Sequence, residues 1–349
     1  MKQTRCLLLL LLVVIAACKK DEVFTDDGFW IAGNPADYNF NTAALDSAIQ
    51  NAAALSEFYA LLVVRDGHLV VEKYYDGHTS NSLFQLRSIT KNVTSALTGI
   101  ALADGSIPDA DVRLKEYYPG IINGAKDSIR LRDILNMASG LEWDEDQEIN
   151  PVTENKVSNS VEYLLARNLA APPGTVFNYN SLSTHVAGDI LHRETGRHLG
   201  QYAEQNLFEP LNIRVYQWQR DPEGRNWGGF GLQLRARDMA KFGLLYLNKG
   251  LWEGIQIVPE AWVQTSASPQ IQVSGSSVTG YSYQWWTSSG LSSAIFYGSG
   301  YGGQGIFIVP EKNLIVIAFQ RHDGSPDASN QRWNNLVSKV FIPIFKAAQ

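Results

Sequence analysis

Two hairpin patterns, one near each end of the chain, constrain the fold of this sequence more than any other feature. Residues 59–75 contain two β-prone runs that meet at Asp66-Gly67, a dipeptide typical of a tight hairpin turn. Residues 305–319 repeat the arrangement around Pro310-Glu311-Lys312-Asn313. Because antiparallel strands can be joined by short turns, both ends of the chain are expected to supply strands to one antiparallel sheet.

Helical patterns fill most of the remaining sequence. Apolar residues recur at helical spacing in 42–58, 182–194, 237–247 and 332–345, the last interrupted at Pro343. We therefore predict the α/β (α+β) class, with an antiparallel sheet flanked by helices and an inserted, mainly helical lobe. Residues 28–349 are predicted to form a single domain, whose α/β lobe comprises about 28–87 and 280–349 and whose helical lobe comprises about 88–279.

Composition argues against several classes of function. The 349 residues carry a net charge of −6 without a long basic run, which argues against a nucleic-acid partner. Both cysteines lie within the first 18 residues, so the rest of the chain offers no disulfide and no thiolate ligand. The six histidines lack the His-Glu-x-x-His spacing, and no metal site is predicted.

The N-terminus is typical of an export signal. Lys2 and Arg5 precede an apolar run at 7–14 that is too short to span a bilayer comfortably. Ile15-Ala16-Ala17-Cys18 is similar to a bacterial lipobox, which implies a signal peptide at 1–17, lipidation of Cys18 and a polar tether at 18–27. The protein would then be anchored to a membrane of the bacterial cell envelope, on its periplasmic or surface face. An ordinary secretory signal with an incidental cysteine is the alternative.

Ser88-Ile89-Thr90-Lys91 is the strongest chemical motif. Residues i and i+3 share one face of a helix, so the hydroxyl of Ser88 and the amine of Lys91 are expected to lie side by side. A serine hydroxyl becomes a useful nucleophile when a neighbouring base takes its proton, and a neutral lysine can be that base. The motif is short, and an accidental surface occurrence is the alternative.

Two further segments could complete a site. Tyr179 stands just before the helical pattern at 182–194, where a tyrosine hydroxyl can reach a cleft and move a proton. The glycine-rich run 298–305 leads into a strand, and a backbone N–H there could join the N–H of Ser88 in an oxyanion hole. A packing tyrosine and a simple turn are the alternatives.

Together these motifs resemble those of the serine β-lactamase and penicillin-binding-protein-like hydrolases. In chain order they are Ser88-x-x-Lys91, Tyr179-x-Ser181 and Tyr301-Gly302-Gly303. Their spacing fits the branch of class C β-lactamases and family VIII esterases. Ser139-Gly140-Leu141, followed by Trp143-Asp144-Glu145, looks most like relatives of 6-aminohexanoate-dimer hydrolase.

The resemblance implies a role for each motif. Ser88 would be the acylated nucleophile, Lys91 and Tyr179 would share the acid–base work, and the backbone N–H groups of Ser88 and Gln304 would form the oxyanion hole. Neither a metal nor another cofactor is implied. Substrate binding is assigned to Ser181, Tyr301, Gly302, Gly303, Trp143 and Trp286.

Some of these assignments have structural alternatives. The two tryptophans could equally be packing residues. The acidic triplet Asp144-Glu145-Asp146 could bind a substrate amine, although a solvated loop is the simpler interpretation.

We expect an exported serine hydrolase that acts through an acyl-enzyme on a small-molecule ester or amide or on a peptide. Ser181 replaces the asparagine of true β-lactamases, and Tyr301 replaces a lysine that many penicillin-recognising members use. Both differences favour an esterase, amidase or peptidase over an efficient β-lactamase. The alternatives are a D,D-carboxypeptidase, a weak β-lactamase and a non-catalytic envelope protein. The chain lacks a Gly-x-Ser-x-Gly motif, which argues against an α/β-hydrolase nucleophile elbow.

Overall fold

A computed structural model describes residues 28–273 and 280–349. The predicted signal peptide 1–17, the lipidation site Cys18 and the tether 18–27 lie outside the described residues. Within the described ranges, no helix combines the length and apolar character needed to cross a membrane.

The predicted antiparallel sheet is confirmed, and it has seven strands in the order β2-β1-β12-β11-β10-β9-β8. Residues 58–74 supply two adjacent strands and residues 280–320 supply the other five, so the two ends of the chain meet where β1 pairs with β12. The strands are β1 Phe58–Arg65, β2 His68–Tyr74, β3 Leu83–Gln85, β4 Gln217–Trp218, β5 Leu232–Arg235, β6 Leu251–Trp252, β7 Ile255–Gln256, β8 Gly280–Ser282, β9 Trp285–Ser288, β10 Ile295–Gly300, β11 Gln304–Val309 and β12 Leu314–Gln320.

Both hairpins form as the sequence predicts. Arg65 pairs with His68, so Asp66 and Gly67 make a two-residue turn, and their φ angles of 49° and 78° are those of a type I′ turn. In the second hairpin Val309 pairs with Leu314.

The sheet separates two apolar layers. Leu62 of β1 and Ile317 of β12 face the helical lobe, whereas Leu61 and Val316 face the terminal helices on the opposite side. Successive strand residues point to opposite faces, so both faces of these central strands must be apolar to be buried. This explains why β1 and β12 read as continuous hydrophobic runs.

Helices cover both faces of the sheet and form the inserted lobe. The first helix and the C-terminal helices pack together on one face. The helices are α1 Thr42–Ala53, α2 Thr90–Ala103, α3 Leu114–Tyr117, α4 Leu131–Leu135, α5 Glu145–Thr153, α6 Ser160–Leu165, α7 Ser181–Thr195, α8 Leu199–Ala203, α9 Ala236–Leu247, α10 Glu260–Ser266, α11 Pro326–Asn335 and α12 Ile342–Ala347.

The C-terminal helical region differs from its prediction. It begins at Pro326 rather than Arg332, because the Ser325 side chain caps α11 by accepting a hydrogen bond from the Ala328 N–H at 3.3 Å. Nor does Pro343 interrupt a helix. It lies in the first turn of α12, which follows the π-helical segment Leu336–Phe341 without a break in the helical run.

A small second sheet positions the start of α2. Strand β3, which immediately precedes this helix, pairs with β5 from the far side of the helical lobe. The Leu86 N–H then donates to the Leu232 carbonyl oxygen at 2.9 Å. Residues 90–101 of α2 are buried all round, so this helix lies at the centre of the molecule with its N-terminus held between the two lobes.

The central position of β12 predicts a large difference between two isoleucine truncations. We expect Ile317→Ala, at a fully buried site, to lower the free energy of unfolding by about 2–5 kcal/mol, because it removes apolar contacts and leaves a cavity. Ile31→Ala, at a side chain that is 64% exposed, should change it by less than about 0.5 kcal/mol. Denaturant titration of both variants tests this, and equal effects would contradict the assigned core.

Candidate active site

Ser88 lies in a short 3-10 turn, Arg87–Ile89, that runs directly into α2. Its Oγ is 2.9 Å from Lys91 Nζ, which is the proximity that the i, i+3 spacing predicts. Arg87 has a φ of 52°, an uncommon conformation for a residue with a side chain. A conformation of this kind persists only where the surrounding structure enforces it.

Lys91 is the convergence point of three chain segments. Its side chain is 1% exposed, and Nζ donates to Ser181 Oγ at 3.0 Å and to the Gly229 carbonyl oxygen at 2.9 Å. Among the described residues no carboxylate lies within ion-pair distance of this amine. The lysine therefore bridges Ser88, the start of α7 and the loop before β5 through neutral oxygen atoms.

Tyr179 reaches the same place from the start of α7. Asn180 caps this helix by accepting a hydrogen bond from the Ser183 N–H at 3.1 Å, and its extended backbone leaves Tyr179 just outside the helix. Lys91 Nζ lies 4.9 Å from the centre of the Tyr179 ring. The Trp286 ring stacks on that of Tyr179, with the two ring centres 5.9 Å apart.

These groups border one cavity of about 990 Å³. Of the residues that the sequence assigns to the site, those that line it are Ser88, Trp143, Tyr179, Ser181, Trp286 and Tyr301. Lys91 lies behind this wall. Residues that sequence reasoning did not assign to the site also line it, among them Arg87, Phe230, Gly300 and His322.

Glu145 belongs to the site rather than to a solvated loop. Its Oε2 accepts hydrogen bonds from the Ser181 N–H at 2.9 Å and from Trp143 Nε1 at 2.7 Å, and its Oε1 accepts one from the Ser181 hydroxyl. A continuous chain of polar contacts therefore runs from Ser88 through Lys91 and Ser181 to Glu145. The acidic triplet pointed to this segment of the sequence, where Asp144 caps α5 by accepting a hydrogen bond from the Gln147 N–H at 3.3 Å.

The structure places Gln304 away from the cavity wall. Its side-chain amide is buried, donating to the Gln320 carbonyl oxygen at 3.0 Å and accepting from the Gln320 N–H at 3.0 Å. Gly300, at the other end of the β10–β11 turn, lines the cavity instead. A Cβ atom on Gly300 would lie 2.5 Å from the Leu86 carbonyl oxygen, so only glycine lets β10 approach the Ser88 turn this closely.

Gly302 and Gly303 form the β10–β11 turn and do not line the cavity. Their φ angles of 88° and 87° require glycine, and a Cβ on Gly302 would meet the backbone of His322. Tyr301 alone of the predicted Tyr-Gly-Gly segment faces the cavity, with its hydroxyl donating to the Gly324 carbonyl oxygen at 2.7 Å.

A buried ion-pair network lies behind the loop that accepts from Lys91. His185 Nε2 is 3.0 Å from Asp221 Oδ2, and the Gly228 N–H donates to His185 Nδ1 at 3.3 Å. Arg225 adds a second hydrogen bond to Asp221 at 2.7 Å. Burial opposes ionisation of Asp221, but His185 and Arg225 outweigh it and lower the pKa of this carboxyl to about 2.

Comparisons with known proteins agree with this arrangement. The profile of the Beta-lactamase family matches residues 49–339. The 6-aminohexanoate-dimer hydrolase of Paenarthrobacter ureafaciens is 24% identical over 319 residues, which cover 82% of this chain and 78% of that protein.

Solved structures share the fold at low sequence identity. The octameric penicillin-binding protein homologue from Pyrococcus abyssi superimposes with a TM-score of 0.69 at 19% identity, covering 85% of this chain and 77% of that one. A family VIII carboxylesterase gives 0.66 at 17% identity, covering 86% and 97% respectively. These matches confirm the resemblance drawn from the motifs.

The close approach of Gly300 to the Ser88 turn predicts a sensitive position. We expect Gly300→Ala to reduce kcat/KM by about 10²-fold, the cost typical of displacing a catalytic group by about 1 Å. Gly120→Ala is the control, because a Cβ there meets no atom within 4 Å. Steady-state kinetics on any turned-over substrate would measure both, and a fully active Gly300→Ala would contradict the assigned approach.

The low pKa of Asp221 predicts how stability depends on pH. Unfolded aspartate titrates near pH 3.9, so the stabilisation from ionised Asp221 is complete above that pH and is lost as pH falls towards 2. The difference in free energy of unfolding between wild type and Asp221→Asn should therefore shrink by about 2 kcal/mol between pH 6 and pH 2. Asp46→Asn, at an exposed position on α1, should show no such trend in denaturant titrations.

Proposed function

This chain belongs to the beta-lactamase family and is a serine hydrolase, and we propose that it cleaves an ester or amide through an acyl-enzyme on Ser88. One observation carries the proposal: the 2.9 Å contact between Ser88 Oγ and Lys91 Nζ at the wall of the cavity that Tyr179 also lines. Nucleophile, candidate base and a third proton-transfer group are thus collected at one place.

Acylation begins at the Ser88 oxygen. Neutral Lys91 takes the proton from Ser88 Oγ while this oxygen attacks the substrate carbonyl carbon, forming a C–O bond and a tetrahedral oxyanion. The hydrogen bonds from Lys91 to Ser181 and Gly229 hold the amine in line with the serine, so little reorganisation is needed.

The oxyanion requires two N–H donors, and we assign them to Ser88 and Gly300 rather than to Ser88 and Gln304. Gly300 supports this assignment because it lines the cavity and packs on the residue two positions before Ser88. Loss of one such donor typically lowers turnover by about 10²–10³-fold.

Tyr179 is the group best placed to complete proton transfer. When the tetrahedral species collapses, the bond from the carbonyl carbon to the leaving oxygen or nitrogen breaks, and the leaving atom receives a proton through the Tyr179 hydroxyl. Lys91 Nζ lies 4.9 Å from the centre of the Tyr179 ring, so the two side chains are neighbours, and in this proposal the proton taken from Ser88 passes from Lys91 to Tyr179. A water molecule then attacks the acyl carbon and gives a proton to Lys91. The bond from that carbon to Ser88 Oγ breaks, and Lys91 returns the proton to Ser88 Oγ as the acid product leaves.

The substrate is proposed to be an ester, an amide or a peptide rather than a β-lactam. Ser181 and Tyr301 both border the cavity, so the two differences from the penicillin-recognising pattern fall where substrate would lie. We also propose that the protein is exported and anchored by lipid at Cys18, which rests on the lipobox-like sequence alone.

Two variants test the acyl-enzyme. We expect Ser88→Ala to abolish labelling by a fluorophosphonate probe, because the attacked oxygen is gone, and Lys91→Met to slow labelling and ester hydrolysis by about 10²–10⁴-fold, the usual contribution of a general base. Lys339→Met, at an exposed lysine, is the matched control and should label like wild type.

Equal labelling of wild type and Ser88→Ala would exclude the proposal, and an unlabelled, inactive wild type would favour a non-catalytic binding protein. A panel of p-nitrophenyl esters, short amide oligomers, muropeptides and nitrocefin then separates esterase, amidase, D,D-carboxypeptidase and β-lactamase activities.

A further inference from the structure

An arginine stands directly beside the nucleophile in the cavity wall. Arg87 precedes Ser88 and is half-buried, and its backbone has the uncommon φ of 52°. Both Arg87 and Ser88 line the cavity, together with Tyr301 and His322. Strained backbone conformations of this kind cluster at functional sites.

The guanidinium of Arg87 is oriented by neutral groups only. One of its nitrogen atoms donates to the His322 carbonyl oxygen at 3.3 Å, and its central carbon lies 5.5 Å from the centre of the Tyr301 ring. Both partners line the cavity. None of the Arg87 nitrogen atoms is both buried and without a hydrogen-bond partner. The N–H groups that do not bond His322 are therefore accessible to a ligand.

No described carboxylate neutralises Arg87. Asp323 lines the same wall, but it pairs with Arg321 at 3.4 Å. Burial lowers the pKa of Arg87, which indicates that removal from water disfavours its charge and that an anion here would relieve the cost. Even so, an arginine stays protonated under ordinary conditions.

We propose that Arg87 is a specificity-determining residue that binds a free carboxylate of the substrate, so that the enzyme prefers esters or amides that also carry a carboxylate group. This inference rests on the proposed function of Ser88. A guanidinium presents a fork of N–H donors that matches a carboxylate, and such charge-assisted pairs are among the stronger polar contacts. The Tyr301 ring, stacked against the guanidinium, would keep the fork facing the cavity.

The test compares matched substrates that differ only in one group. Short N-acyl amino acids are made with either a free C-terminal carboxylate or a C-terminal carboxamide, and kcat/KM is measured for both substrates. Wild type should prefer the acid by about 10–100-fold, the range expected for a hydrogen-bonded charge. Arg87→Asn should bring the ratio close to one, since asparagine tolerates a positive φ but carries no charge. Arg87→Lys should restore part of the preference, and Arg214→Gln, at an exposed arginine outside the cavity wall, should keep all of it.

A wild-type ratio of one or less would overturn the inference, as would an Arg87→Asn variant that slows both substrates by the same factor, because that result indicates a structural role. These failures are distinguishable from failure of the proposed function. If only the inference about Arg87 fails, fluorophosphonate still labels Ser88 of the wild type. If the proposed function fails, the wild type is not labelled.

Discussion

The buried amine of Lys91 is the interaction on which the site depends. A single Nζ contacts oxygen atoms from α2's own entry turn, from the start of α7 and from the loop that leads into β5. Placing a lysine at 1% exposure is costly unless its donors are satisfied, so these three segments must be in register before the chain is stable there. The same contacts that stabilise the centre of the molecule therefore orient Ser88, the proposed nucleophile.

Close backbone approach is the second constraint. Gly229 offers its carbonyl oxygen to Lys91 while packing against the Ser181 backbone, and Gly300 brings β10 against the turn that holds Ser88. A side chain at either position would separate segments that must meet. Behind Gly229, His185 accepts a hydrogen bond from the N–H of the preceding glycine and is itself held by Asp221, so a buried contact distant from the cavity supports the lysine indirectly.

Local patterns predicted those parts of the structure that local physics decides. The Asp66-Gly67 hairpin and the Ser88–Lys91 pair each depend on residues within a few positions of one another, and both appear as expected. Local patterns do not decide which of two residues in one hairpin lies beside a site. Gln304 and Gly300 are four residues apart on opposite strands of one hairpin, and only the register of that hairpin decides which of them reaches the cavity. Glu145 resembled a solvated acid because its partners, Ser181 in particular, lie 36 positions away.

The sequence by itself determined the class of fold, the order of the motifs and the membership of the family, because periodicity, turn chemistry and motif spacing are written in consecutive residues. Only the tertiary structure decided which backbone N–H lines the cavity, that Glu145 holds Ser181, and that Arg87 presents a guanidinium without a described carboxylate partner beside the nucleophile. Those properties arise from contacts between segments brought together by the two lobes, and the free energy of such contacts depends on distances that no local pattern encodes.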